Sequence, residues 1–140
     1  MNESPGVIDL EIVAPEQSVV RMEAREVIVP GSEGLFTVFP GHTPFFSLLS
    51  VGAVTAVDPK GLEHFFAVTE GFVEVLEDHV VVLSFTVEHE AEIDIDRAEA
   101  AKARAQRRLR QRQEDIDFAR AEAAFERALA RIRVHSRDHY

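Results

Sequence analysis

IDIDRAEAAKARAQRRLR, residues 93–110, returns as IDFARAEAAFERALARIR at residues 116–133. The two copies align without a gap at an offset of 23 residues, and 11 of the 18 positions are identical. Ala, Arg and Glu dominate both copies, and these residues lose little side-chain freedom in a helix. Each copy opens on Asp, which suits a helix N-terminus by capping and by the dipole. Asp96 and Glu99 have the spacing of a capping box in the first copy. The polar stretch Gln111-Arg112-Gln113-Glu114-Asp115 is the natural turn between them. Two equal helices with a short connection make an antiparallel helical hairpin, placed at residues 92–134, with a polar tail at 135–140.

The copies differ in their apolar faces. Phe118, Phe125, Leu129 and Ile132 run down the second helix at steps of 7, 4 and 3, a continuous stripe. The equivalent positions of the first helix are Ile95, Lys102, Gln106 and Leu109, so its stripe is broken in the middle. Burying a Phe or Leu stabilises by about 1.5–3 kcal/mol, and a Lys or Gln supplies little of that. The first helix is therefore expected to hold any surface less firmly than the second. Alanines on both allow close approach.

Upstream the pattern is different in kind. All 7 Gly and all 6 Pro lie at or before Gly71. Between them run Val7–Val13, Val27–Val29 ending at Pro30-Gly31, Leu35–Phe39 ending at Pro40-Gly41, Val51–Val57, Phe65–Thr69, Phe72–Leu76 and His79–Phe85. Glu77-Asp78 is a tight-turn candidate between the last two. Short β-branched and aromatic runs with regular turn signals predict an antiparallel β-sandwich or barrel over residues 1–88. The class is α+β, with the boundary near residues 88–92.

Charge divides at the same place. Residues 1–90 carry 15 acids and 3 bases; residues 91–140 carry 10 acids and 12 bases. The acidic front repels nucleic acid and anionic lipid, so neither nucleic-acid binding nor lipid insertion is expected. No run approaches the ~20 apolar residues of a membrane helix. Met1–Gly6 carries Glu3 and no basic run, and reads as neither signal nor transit peptide. With no cysteine there is no thiol nucleophile or disulfide. Asp94/Asp96 and Asp115/Asp117 are explained as helix starts rather than catalytic pairs. The six histidines form no metal-ligand set: His135 and His139 fall in the polar tail, and His42 sits in a Pro-Gly loop. The chain is read as having no enzymatic activity.

Pro40-Gly41-His42-Thr43-Pro44, Phe66-Ala67-Val68 and Gly71-Phe72-Val73-Glu74-Val75 in the front, then Glu92-Ile93-Asp94, Arg97-Ala98, Asp115-Ile116-Asp117-Phe118 and Arg120-Ala121 behind, follow a specific order and spacing. In these the chain resembles the epsilon subunits of bacterial and chloroplast F-type ATP synthases along nearly its whole length. The resemblance implies a non-catalytic central-stalk subunit, peripheral on the cytoplasmic face of a bacterial inner membrane or the stromal face of a thylakoid. It implies a sandwich that binds the gamma subunit and the c-ring of the proton-translocating enzyme. It also implies a hairpin that packs on the sandwich or extends into the alpha/beta catalytic head and blocks ATP hydrolysis. The chain departs from the pattern at Leu35, Thr37 and Thr69-Glu70-Gly71. Leu35, Phe36 and His42 are nominated for the c-ring and gamma interface, with core positions as the competing reading of Leu35 and Phe36.

The resemblance requires no cofactor, but nominates ATP as a regulatory ligand of Glu88, Ile93, Asp94, Arg97, Ala98, Arg127 and Arg131. Guanidinium groups suit phosphate because they stay charged and offer forked donors. Ile116-Asp117-x-x-Arg120-Ala121 repeats the signature in the second helix, so the motif also reads simply as a way to start a helix. No Gly-rich phosphate loop accompanies it. Arg104, Arg107, Arg108, Arg110 and Arg112, uninterrupted by an acid, are assigned to a basic inhibitory tip; a favourable charge at a helix C-terminus is the plainer reading. An anion- or nucleic-acid-binding adaptor using the arginine stripes is the alternative function.

Overall fold

Alternating and β-branched runs become ten strands in the computed structural model, which describes residues 6–15, 20–111 and 115–136. They are β1 (Ile8–Val13), β2 (Val20–Ala24), β3 (Glu26–Gly31), β4 (Gly34–Val38), β5 (Phe45–Leu49), β6 (Gly52–Val57), β7 (Glu63–Val68), β8 (Gly71–Leu76), β9 (His79–Ser84) and β10 (Val87–His89). A single 3-10 turn, Glu90–Glu92, leads into helices α1 (Ile95–Gln111) and α2 (Asp115–Ser136). Three strands were not expected from the sequence. β2 mixes Arg21 and Glu23 into a short run, β5 lacks polar alternation, and β10 has only three residues.

The strands form one sheet in the order β10-β7-β6-β3-β5-β8-β9-β1-β2, with β4 on β3. β3 makes the corner: its start pairs with β6 and Gly31 pairs with Leu49 of β5. It runs through Pro30, where the sequence predicted a stop. Proline lacks only the donor, and its carbonyl still accepts from Ser50 N at 2.8 Å. The fold is a sandwich as expected, but one pairing is parallel. β1 lies parallel to β9 from Asp9↔His79 to Val13↔Leu83. The long stretch between these strands supplies the crossover that a parallel pair needs.

Glu77 and Asp78 close the β8–β9 hairpin with φ of 50° and 63°, the left-handed pair that a two-residue turn of type I′ demands. Gly71 is required for a different reason. A Cβ there would stand 1.7 Å from the Leu83 carbonyl oxygen. Beside it Thr69, Ser84 and Thr86 form a hydroxyl knot: Thr69 N donates to Ser84 Oγ at 2.9 Å and Thr86 N to Thr69 Oγ1 at 2.9 Å. The knot satisfies polar groups that would otherwise be costly to bury.

Branched residues such as Ile8, Leu10, Val29, Val54, Val73 and Val82 fill the space inside the sheet. β6 and β7 are exceptional because both their faces are buried. Val54, Phe66 and Val68 point inward to the main core, while Ala53, Phe65 and Ala67 join Ile93 and Val134 in a second cluster. The hairpin therefore lies folded against the outer face of the sandwich. α2 packs on β6, β7 and the 3-10 turn, and α1 packs chiefly on α2. The helix that keeps the unbroken apolar stripe is thus the one that touches the sheet.

The residues that make the helix seam were not the expected ones. Phe118 is 40% exposed, and Phe125, Leu129 and Ile132 are half-buried. The buried positions are Ala98 and Ala105 on α1, with Ala121, Ala128, Ala130 and Val134 on α2. Ala98/Ala121 and Ala105/Ala128 are equivalent in the repeat, so each helix offers the same small residues seven apart. Small side chains let the backbones approach closely, and the large ones flank the seam.

Asp94, not Asp96, starts α1. Its Oδ1 accepts from Arg97 N at 3.1 Å, and its carbonyl accepts from Ala98 N at 3.0 Å. The capping box expected at Asp96 and Glu99 is found upstream instead, where His89 caps the 3-10 turn. Ala91 N donates to His89 Nδ1 at 3.1 Å, and His89 N donates to Glu92 Oε1 at 3.0 Å. The His89 ring stands edge-on to Phe66 and 6.4 Å from the ring of His64, whose Nε2 donates to Asp58 Oδ2 at 3.0 Å.

Candidate functional site

A cleft of about 360 Å³ opens where the hairpin meets the sandwich. Thr86 and Glu88 form its floor, Glu92 and Asp94 its near edge, and Arg97, Ala98, Ala101 and Arg104 of α1 its wall; Arg131 reaches in from α2. Thr86 is fixed by its hydroxyl contact to Thr69 Oγ1 at 3.1 Å. Glu88 is placed by β10, whose pairing with β7 sets Glu88 opposite Ala67. Arg97 and Arg104 are seven apart and so lie on one face of α1.

The electrostatics are nearly balanced. Three carboxylates, Glu88, Glu92 and Asp94, face three guanidinium groups, Arg97, Arg104 and Arg131. Arg131 Nε donates to Glu88 Oε1 in a partly exposed ion pair that ties α2 to β10. Asp94 is occupied at the helix cap. The arrangement can hold an anion between guanidinium groups and a hydroxyl- or amine-bearing group at the carboxylates. Among the described residues it sets no nucleophile beside a base, and no group of carboxylate and imidazole ligands stands ready for a metal.

Of the seven residues nominated for ATP, the cleft brings together Glu88, Asp94, Arg97, Ala98 and Arg131. Ile93 is 8% exposed in the cluster under α2 and serves as an anchor. Arg127 is half-buried on α2, one turn before Arg131, and does not line the cleft. Thr86, Glu92, Ala101 and Arg104 were not nominated for it. Arg104 was legible as Arg97 plus seven; Thr86 was not, because nothing local marks where a strand end will meet a helix.

Four of the five arginines assigned to the basic tip fall on α1. Arg104 lies mid-helix and belongs to the cleft. Arg107, Arg108 and Arg110 are exposed on the last turns of α1, and Arg112 lies outside the described residues. A shallow hollow lined by Leu109, Arg110, Phe118 and Glu122 closes this end.

A second surface lies on the sandwich. Leu35 is 55% exposed, and around it stand Phe45, Phe46 and Leu48 of β5. Leu48 pairs with Phe72 of β8, and the Phe46 and Phe72 rings are 5.5 Å apart. Phe36 is half-buried against the core and packs edge-on to Phe45 at 5.0 Å. His42 Nδ1 donates to the Thr43 carbonyl at 2.6 Å and lies 6.0 Å from the Phe45 ring. Phe46, Leu48 and Phe72 were missed as surface residues, since an apolar run reads as core. Isolated exposed apolar residues are ordinary, but a contiguous set marks an interaction surface. No helix among the described residues is long and apolar enough to cross a membrane.

Residues 7–90 match the family described as ATP synthase, Delta/Epsilon chain, beta-sandwich domain, and residues 91–136 match its long alpha-helix domain. An ATP synthase epsilon chain of Desulforapulum autotrophicum is 46% identical over 127 residues, covering 91% of this chain and 94% of that protein. One of Moorella thermoacetica is 44% identical over 126 residues, covering 90% and 94%. In the Euglena gracilis mitochondrial ATP synthase, solved with OSCP, F1 and the c-ring, one chain shares the fold. Its TM-score is 0.78 at 19% identity, over 89% of this chain and 79% of that one.

Proposed function

The chain belongs to the ATP synthase delta/epsilon chain family, and from that membership we propose that it is the non-catalytic epsilon subunit of a central stalk, joining the gamma subunit to the c-ring. The observation that carries this reading is the apolar outer face formed by Leu35, Phe46, Leu48 and Phe72. It lies away from the hairpin's docking strands, β6 and β7, so the sandwich is free to bind a partner while carrying the hairpin. In that role the chain sits peripherally, on the cytoplasmic face of a bacterial inner membrane or the stromal face of a thylakoid. The test is co-purification with gamma from the same source. Leu48→Asp with Phe72→Asp is expected to abolish it with the melting temperature unchanged; retained binding overturns the assignment of the face.

The hairpin is the regulatory arm in this proposal. Docked, it lies on the sandwich; released, it carries Arg107, Arg108 and Arg110 toward the catalytic head and inhibits ATP hydrolysis. Its support is the modest apolar anchor beneath it, since a switch needs two states within a few kcal/mol. Removing the residues after Glu90 is expected to raise hydrolysis by the assembled complex; unchanged or lower hydrolysis counts against inhibition. The cleft at the hairpin's base is the place for ATP as a regulatory ligand, with Arg97, Arg104 and Arg131 toward the phosphates. Calorimetry with ATP on the whole chain is expected to show heat that Arg97→Ala removes. Silence at millimolar ATP ends the ligand reading and leaves the stalk reading intact.

A further inference from the structure

The join between the sandwich and the hairpin is capped by an unusual residue. Helix caps are ordinarily Ser, Thr, Asp or Asn, whose oxygens accept a hydrogen bond at every pH near neutrality. Here the acceptor is an imidazole nitrogen: Ala91 N donates to His89 Nδ1 at 3.1 Å. A backbone N–H can donate only to an unprotonated Nδ1, so this geometry requires the neutral ring with its proton on Nε2. On protonation both ring nitrogens become donors, and Ala91 N–H loses its partner.

The place of this bond makes it consequential. His89 ends β10, and the 3-10 turn it caps packs on β7 on one side and α2 on the other. Ile93, next in the chain, is buried with Val134 of α2. The cap therefore sets the direction in which the chain leaves the sheet with the hairpin docked.

Charged groups of both signs surround the ring. On β7, His64 stands 6.4 Å away and is held by Asp58. The hydrogen bond from His64 holds the Asp58 carboxyl below its usual range. The turn contributes Glu90 and Glu92, the latter bonded to the His89 backbone, and the last turns of α2 carry Arg131, Arg133 and His135.

We propose that His89 is a proton-sensitive latch, neutral when the hairpin is docked and uncapping its hinge on protonation so that the hairpin releases more readily in mild acid. The latch rests on the reading of the hairpin as a mobile arm. Histidine is the side chain whose ordinary charge change falls between about pH 5 and 8. Losing one cap is expected to change the docked-to-released ratio about fivefold.

The experiment uses the whole chain with two cysteines introduced for spin labels, at Glu63 on β7 and Glu99 on α1, both exposed. Distance distributions at pH 8 and pH 5.5 report the docked fraction. The wild type is expected to lose docked population on acidification. His89→Asn, a cap that does not titrate, is expected to remain docked at both values; His89→Ala is expected to be partly released at both. His64→Gln retains the response. Ring nitrogen NMR at pH 8 is expected to show the Nε2-protonated tautomer of His89. An unchanging wild type, a titrating His89→Asn variant, a response abolished by His64→Gln or an Nδ1-protonated ring overturns the latch. Inhibition by the hairpin is read separately from hydrolysis by the truncated complex, so either idea can fail alone.

Discussion

α1 and α2 are nearly the same sequence and do different work. Both copies of the repeat supply the alanines of a shared seam, and both begin at an Ile-Asp pair. Yet α2 lies on β6 and β7, while α1 leans on α2 and shows its arginines to the cleft and to solvent. The seven differing positions, with Val134 just beyond the repeat, separate the two roles. Where α2 has Leu129 and Ala130 beside Val51 and Ala53, α1 has Gln106 and Arg107. Helix formation and helix pairing thus reside in the conserved positions of the repeat, and attachment to the sheet in the divergent ones.

The contrast breaks most sharply at the anchor. Val134 is fully buried, and its counterpart in the repeat, Gln111, is exposed. Val134→Asp should release α2 at a cost of about 3 kcal/mol, by placing an unpaired charge in a dry cluster. Gln111→Asp should change stability by under about 1 kcal/mol. Hydrogen exchange along the hairpin measures both; equal loss of protection would erase the distinction between the helices.

The shared seam makes the opposite prediction. Ala105→Leu and Ala128→Leu should each destabilise the hairpin by about 1–3 kcal/mol through overpacking, and by similar amounts. Chemical denaturation followed by helical circular dichroism tests this. A much larger effect at one would mean that the helices do not contribute equally.

A smaller effect is expected where α2 meets β10. Arg131→Ala leaves Glu88 partly buried without its partner and should cost about 1 kcal/mol, reduced from a buried pair's value by solvent screening. Arg127→Ala, four residues earlier and outside the cleft, should cost less. Thermal melts of both variants decide the order.

The smallest effect is expected within the sandwich, where β6 turns into β7. Asp58 is held below its usual value chiefly by its hydrogen bond from His64. A carboxyl lowered in the folded state stabilises above its unfolded value and loses that contribution as pH falls through the folded one. The melting difference between the wild type and Asp58→Ala should therefore be steady above about pH 4 and shrink below it. A difference that instead grew in acid would reverse the sign of the interaction.

Much of this architecture was legible because it rests on local rules. Glu77-Asp78 sits at the hairpin turn because two short polar residues joined two β runs. The helical hairpin followed from an internal repeat with no Gly or Pro. What was not legible depends on distant partners. β5 lacked the polar alternation of a strand because Phe46 and Leu48 are apolar on a face that the isolated chain leaves uncovered. The Phe118–Ile132 stripe read as the buried face, but close backbone approach favoured alanine there. Arg104 also lines the cleft, which counting charges along a helix does not reveal, because it does not say where the sheet edge will stand. His89 was passed over because its role depends on a three-residue strand too short to recognise.

The parallel partnership of β1 with β9 has a consequence for how the protein is made. Asp9 faces His79, so β1 waits for a partner synthesised about seventy residues later. At about 5–20 residues per second that delay is several seconds, long beside the microseconds in which a β-hairpin closes. During it β1 and β2 can pair only with each other, two strands that do not make a stable unit alone. The sandwich is sealed late, when β9 reaches β1, while the two helices are neighbours in the chain and need no distant strand to find each other.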